Sequence, residues 1–165
     1  METRDIMDKL LHSYETYYDV RAQKIEPPFV AEAEFHSHEE HFFLSRRAVI
    51  DEVENNEIVY FATADSLSID TFLQLDEKAW ERGIAKARPS EHHQSSDVSL
   101  IIIAGNIEKD AIGAIKKAKH SLSYKHCLHG YSNYHLIAAD LSTGRIVYNR
   151  LGYTMKKLLK SVLRS

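Results

Sequence analysis

Val98-Ser-Leu-Ile-Ile-Ile-Ala104 is apolar at every position but Ser99. A strand with one wet face alternates apolar and polar residues, whereas a strand covered on both faces reads as a nearly continuous apolar run. The stretch therefore predicts a central strand with layers packed above and below it. Its neighbours have the spacing of parallel crossovers. Upstream, Glu57–Ala64 reads as a strand and is followed by a helix beginning at Ser68 or Asp70, each a good N-cap. That helix carries Phe72, Leu75, Ala79, Trp80, Gly83 and Ala87 along one side and stops at Pro89. Downstream, Gly105-Asn106 opens a third helix that Asn106 would cap and Gly130 would end, and a hairpin follows, Tyr134–Ala139 with Arg145–Asn149 around Leu141-Ser-Thr-Gly144. Strand, helix, strand thus occurs twice in succession, so part of the sheet is expected to be parallel with right-handed crossovers.

The flanks complete the order. Thr3 is a candidate N-cap for a first helix in which Ile6 or Met7, Leu10, Leu11, Tyr14, Tyr17 and Tyr18 recur at helical spacing. Phe29–Leu44, Ala48–Glu54 and Glu57–Ala64 read as a three-strand meander, with Glu54-Asn-Asn-Glu57 as its second tight turn. The last segment places Met155, Leu158, Leu159 and Val162 on an apolar face, with Lys156, Lys157 and Lys160 mostly outside. The expected fold is one α/β domain over residues 1–165, a mixed sheet of about six strands in the order α-β-β-β-α-β-α-β-β-α.

Composition narrows the classes of function. The chain has 165 residues, 44% of them apolar, and its longest aliphatic run, Leu100–Ala104, is far short of the roughly 18 residues that span a bilayer. No membrane association is expected. The start, Met1-Glu-Thr-Arg-Asp, lacks the features of a secretory signal, and Cys127 is the only cysteine, so a reducing, cytoplasmic location is expected.

Charge is distributed unevenly. Residues 1–111 hold 11 Lys and Arg against 23 Asp and Glu, while residues 112–165 hold 10 against Asp140 alone. Either the two parts fold together and neutralise each other, or the basic part is a face for a phosphate-rich or otherwise acidic partner. Lys116, Lys117, Lys125, Arg145 and Arg150 are the candidate basic surface. The interleaved aromatics Tyr124, Tyr131 and Tyr134 would also suit nucleic acid. Ten histidines would carry the formal charge from −3 to +7 if all were protonated, so charge-driven contacts should depend on pH.

Three short strings invite chemistry. His36-Ser-His38-Glu-Glu40-His41 would set His36, His38 and Glu40 on one face of a strand, a ligand set suited to zinc or another late transition metal; a solvated polar face is the plainer alternative. The string resembles the His-x-His-x-Asp-His motif of metallo-β-lactamase-like hydrolases, with Glu40 in place of the Asp. Asp51, Glu52, Glu54 and Glu57 could share Mg²⁺, or form an acidic edge that discourages aggregation. At the expected carboxyl ends of the parallel strands, Asp65, Ser66, Gly105 and Asn106 form a candidate anion or ligand site, with Ser142 and Thr143 nearby. A divalent metal is the only cofactor these strings suggest.

Ala33-Glu-Phe-His36, Phe42-Phe-Leu-Ser-Arg-Arg47, Glu54-Asn-Asn-Glu57, Leu128-His-Gly130, Asp140-Leu-Ser-Thr-Gly144 and Asn149-Arg150 together resemble a family of bacterial proteins classed as a domain of unknown function. The resemblance covers nearly the whole chain and implies no activity, cofactor or site residue. The order of helix, three strands, helix and strand also resembles restriction-endonuclease-like proteins. Their acid-x-lysine element is missing from Glu57-Ile-Val-Tyr-Phe-Ala-Thr, which argues for a binding descendant over a working nuclease. The leading expectation is therefore a non-enzymatic module that binds an acidic partner. A metal-dependent, nuclease-like hydrolase using His36, His38 and Glu40 or the 51–57 carboxylates is the alternative. A structural protein or homo-oligomer subunit is the third.

Overall fold

Val98–Ala104 lies at the centre of the sheet. In the computed structural model, which describes residues 2–36, 55–86, 95–123 and 131–165, every apolar residue of the run is buried to within 1%. It belongs to β4 (Ser95–Ile107), which is parallel to β3 (Asn55–Leu67) on one side and to β6 (Tyr131–Asp140) on the other. Outside β3 lie β2 (Ala31–His36) and β1 (Asp19–Arg21), both antiparallel to their neighbours. The outer edge of β6 is shared by β5 (Ser121–Ser123) at its beginning and β7 (Arg145–Tyr148) at its end. The fold is a single α/β domain that shows, among the described residues, a mixed seven-strand sheet and four α-helices.

Alternation along each strand builds two cores. Tyr60, Leu100, Ile102 and Leu136 face one way, under α2 (Ile69–Lys86) and α3 (Lys109–Lys117). Phe61, Ile101, Ile103 and Ile137 face the other, under α1 (Thr3–Tyr14) and α4 (Lys156–Arg164). Ser68 caps α2 as expected, its Oγ accepting the Thr71 N–H at 3.2 Å. The expected stripe on α2 is seen in the burial of Phe72, Leu75, Ala79 and Gly83. Met155, at the end of a 3-10 turn from Leu151, joins Leu159 and Val162 to seat α4. Burying each of these last two is worth roughly 1.5–3 kcal/mol.

Several local expectations are overturned. Asn55, Asn56 and Glu57 are not a turn; they begin β3, where Asn55 and Asn56 lie opposite Ser95 and Ser96. Pairing with β4 satisfies peptide groups that a turn would otherwise have to accommodate. Gly105 and Asn106 do not open a helix either, because β4 runs through them to Ile107 and the N-cap of α3 is Glu108. The helix ends at Lys117, since Ser121–Ser123 extends to pair with β6, leaving His120 in the connection. Likewise α1 ends at Tyr14, its N-cap is Glu2, and Tyr17 and Tyr18 lie beyond it. The strand β1 is too short to show a period in the sequence. The expected strand Ala48–Glu54 and the continuation of β2 through residues 37–44 lie outside the described residues, as do Ala87, Pro89 and Gly130.

Candidate functional site

The carboxyl ends of β3 and β4 bring the expected residues together. Ser66 lies opposite Asn106, whose Nδ2 donates to Ser66 Oγ at 3.2 Å, and Gly105 packs on the Asp65 backbone so closely that a Cβ there would sit 2.6 Å from its carbonyl oxygen. Asp65, Gly105 and Ser142 line a shallow groove of about 540 Å³ together with Glu2 and Thr3. Three donors at this end are already used by the chain itself. Buried Asp140 accepts the Ile107 N–H at 3.2 Å, the Ser142 N–H at 2.9 Å and the Ser142 hydroxyl at 2.6 Å. Burial raises its pKa, but these bonds outweigh that and hold it below the ordinary carboxylate value. Asp140 thus engages donors beside the expected site, and Asp65 and Glu2 put further carboxylates along the groove.

At the amino ends of the strands, sequence reading missed a polar cluster. Glu57 accepts hydrogen bonds from the Tyr18 hydroxyl at 2.5 Å and the Ser99 hydroxyl at 2.9 Å. Asp97 lies opposite Glu57 in the ladder, and its Oδ2 is 3.6 Å from His135 Nε2. His135 Nδ1 lies 3.0 Å from the Leu151 carbonyl oxygen, which can only accept, so Nδ1 carries the proton. Burial lowers the His135 pKa, but the Asp97 carboxylate, the Leu151 carbonyl and the Glu57 charge prevail and raise it.

A second cluster lies on the opposite face. His120 Nε2 is 2.9 Å from Asp76 Oδ2, and its ring stacks on Trp80 at 5.2 Å and meets the edge of Tyr134 at 4.9 Å. Burial first, and the Asp76 charge second, push the Tyr134 hydroxyl well above the ordinary tyrosine range. Nothing in the sequence links residues 44 positions apart such as Asp76 and His120, so only the fold could reveal this pairing.

His36 ends β2 opposite Asn56, whereas His38, Glu40, Asp51, Glu52 and Glu54 lie outside the described residues. Among the described residues, no group of three or more His, Cys, Asp or Glu side chains is placed to hold a metal ion.

The basic residues are divided between the two faces. Lys116 and Lys117 end α3 on one face, and α4 lies on the other, while Arg145 starts β7 and Arg150 precedes the 3-10 turn. Lys125 lies outside the described residues. In nine residues α4 carries Lys156, Lys157, Lys160 and Arg164 and no acid, so Arg164 joins the three lysines expected on its outer side. Lys156, Lys160 and Arg164 line a groove of about 560 Å³, and Lys157, Lys160 and Arg164 line an adjoining one of about 420 Å³.

Among the described residues, the acidic part of the chain forms no ion pair with these lysines and arginines. Its carboxylates pair with its own bases: Arg21 with Glu32, Arg82 with Glu26 at 3.4 Å, and Lys86 with Glu32 and Glu34 at 3.3 and 3.4 Å. Among the described residues, no Lys or Arg beyond residue 111 lies within ion-pair distance of a carboxylate.

This architecture, with two described helices on each face of a mixed sheet whose central strands β3, β4 and β6 are parallel, defines a three-layer α/β protein. The chain belongs to the family described as Domain of unknown function (DUF8052), whose model matches residues 2–161. No curated protein and no solved structure matches it. No helix among the described residues is long and apolar enough to cross a membrane.

Proposed function

We propose that the protein is a non-enzymatic binding module whose α4 face docks an acidic macromolecule. The observation that carries this reading is the set of cations on α4, exposed at Lys157, Lys160 and Arg164 and without carboxylate partners among the described residues. Cations left unpaired on one helix raise the local concentration of polyanions, and the attraction weakens as salt screens it. Lys156 differs from the other three. It sits 5.3 Å over the Tyr148 ring and is partly buried, so it anchors the row to the β6–β7 hairpin.

Fluorescence anisotropy with labelled polyglutamate, read across a salt series, tests the reading. Affinity falls on the order of tenfold or more between low and physiological salt. It is lost in Lys160→Glu/Arg164→Glu and retained in Lys116→Glu/Lys117→Glu, on the opposite face. No binding at low salt, or equal loss in both double variants, would overturn it.

A further inference from the structure

The groove beneath the cations has an aliphatic floor. Ile6 of α1, Leu141 of the hairpin turn, Ile146 of β7 and Leu163 of α4 line it, and Lys156, Lys160 and Arg164 stand along its rim. From these we infer that the occupant is an extended segment of a partner protein in which acidic and aliphatic residues alternate. This rests on the proposed acidic partner and narrows it to one class.

Three features select that class. Lys156, Lys160 and Arg164 follow one another at i, i+4, so they form a row on one side of α4 with a spacing of about 6 Å along the axis. In an extended chain, every second side chain lies on the same side at about 6.7 Å. Carboxylates at alternate positions therefore run nearly in step with the row, and the intervening side chains point the other way, toward the floor.

The floor discriminates between polyanions. Bases of single-stranded nucleic acid gain most from aromatic platforms, and no aromatic residue lines this groove. Leucine, isoleucine and valine gain by leaving water for aliphatic surface.

The floor is also drawn from several elements: Ile6 from α1, Leu141 from the turn, Ile146 from β7 and Leu163 from α4. A segment that presents several aliphatic side chains in succession covers such a floor better than a single isolated anion does.

The test compares three labelled probes on the full chain at low salt: a 12-residue Glu-Leu repeat, a 12-residue Glu-Ser repeat and a 12-nucleotide oligothymidylate. The Glu-Leu repeat binds about tenfold more tightly than the Glu-Ser repeat. Leu163→Ser and Leu141→Ser each bring the two peptide affinities toward equality, and far-UV circular dichroism of each variant distinguishes a folding defect from loss of the floor. Equal binding of the two peptides, or tighter binding of the oligonucleotide, would overturn the inference and leave the acidic-partner reading standing. Failure of all three probes would overturn both.

Discussion

Asn149 supplies Leu136 with the edge partner that no strand provides. Its backbone N–H donates to the Leu136 carbonyl at 3.1 Å, and its side-chain oxygen accepts the Leu136 N–H at 3.0 Å. The amide nitrogen donates to the carbonyls of Tyr134 and Ala118, and the oxygen also takes the Gly152 N–H at 2.8 Å. One side chain thus closes the gap on β6 between β5 and β7 and ties α3's end and the 3-10 turn to the sheet. Asn149→Ala strands several buried peptide groups and costs roughly 2–4 kcal/mol, read as a lowered denaturant midpoint. Asn149→Asp cannot donate to the two carbonyls and destabilises as well. An unchanged midpoint in both would show that water replaces the amide.

Gly152 belongs to the same junction. A Cβ there would collide with the Leu136 carbonyl oxygen, a backbone atom that cannot turn aside. Gly152→Ala therefore costs at least about 1–3 kcal/mol, whereas Gly113→Ala, facing open space on α3, is neutral or stabilising. Thermal melts of the two variants give this comparison directly.

Asp140 makes the structure sensitive to acid. Its folded pKa lies below the unfolded value near 3.8, so its contribution is present above that value and is lost as pH falls through the folded one. Asp140→Asn lowers stability at pH 7 by roughly 1–3 kcal/mol, and the difference from the parent shrinks below pH 4. A difference independent of pH would mean that the charge contributes nothing.

His135 acts in the opposite sense. Because its folded pKa is raised above the ordinary 6.5, its stabilisation is complete below that value and fades as pH rises through the folded pKa. In His135→Gln the melting temperature should fall less steeply between pH 6.5 and 8 than in the parent. Identical slopes would remove Asp97 and His135 as a working pair.

Trp80, the single tryptophan, reports on the cluster it shares with His120. His120→Ala uncovers one face of the indole, and its emission moves to longer wavelength. An unchanged spectrum would mean that the two rings do not stack in solution.

Legibility followed burial. Val98–Ala104 announced a doubly covered strand because both of its faces are apolar, and the two parallel crossovers followed from its neighbours. Helix α4 was legible for its core stripe, through Leu159 and Val162. Asn55-Asn56 and Gly105-Asn106 misled because their turn and capping propensities are local, while the ladder that extends them is formed with distant residues. The clusters around Glu57 and Asp76 were invisible for the same reason, since each joins residues about 40 positions apart. The outward lysines of α4 are legible in the sequence, and the i, i+4 spacing of Lys156 and Lys160 extends the row to Arg164.

Docking of an acidic partner on α4 would perturb the backbone amides of that helix first. The most direct measurement follows backbone amide shifts in ¹H–¹⁵N spectra of the full chain as unlabelled polyglutamate is added at low salt. Saturable shifts are expected at Lys156, Lys157, Lys160 and Arg164, spreading to Ile146 and Leu141 and leaving Lys116 and Lys117 unmoved. Shifts confined to Lys116, Lys117 and Lys119, or none at any residue, would contradict docking on α4.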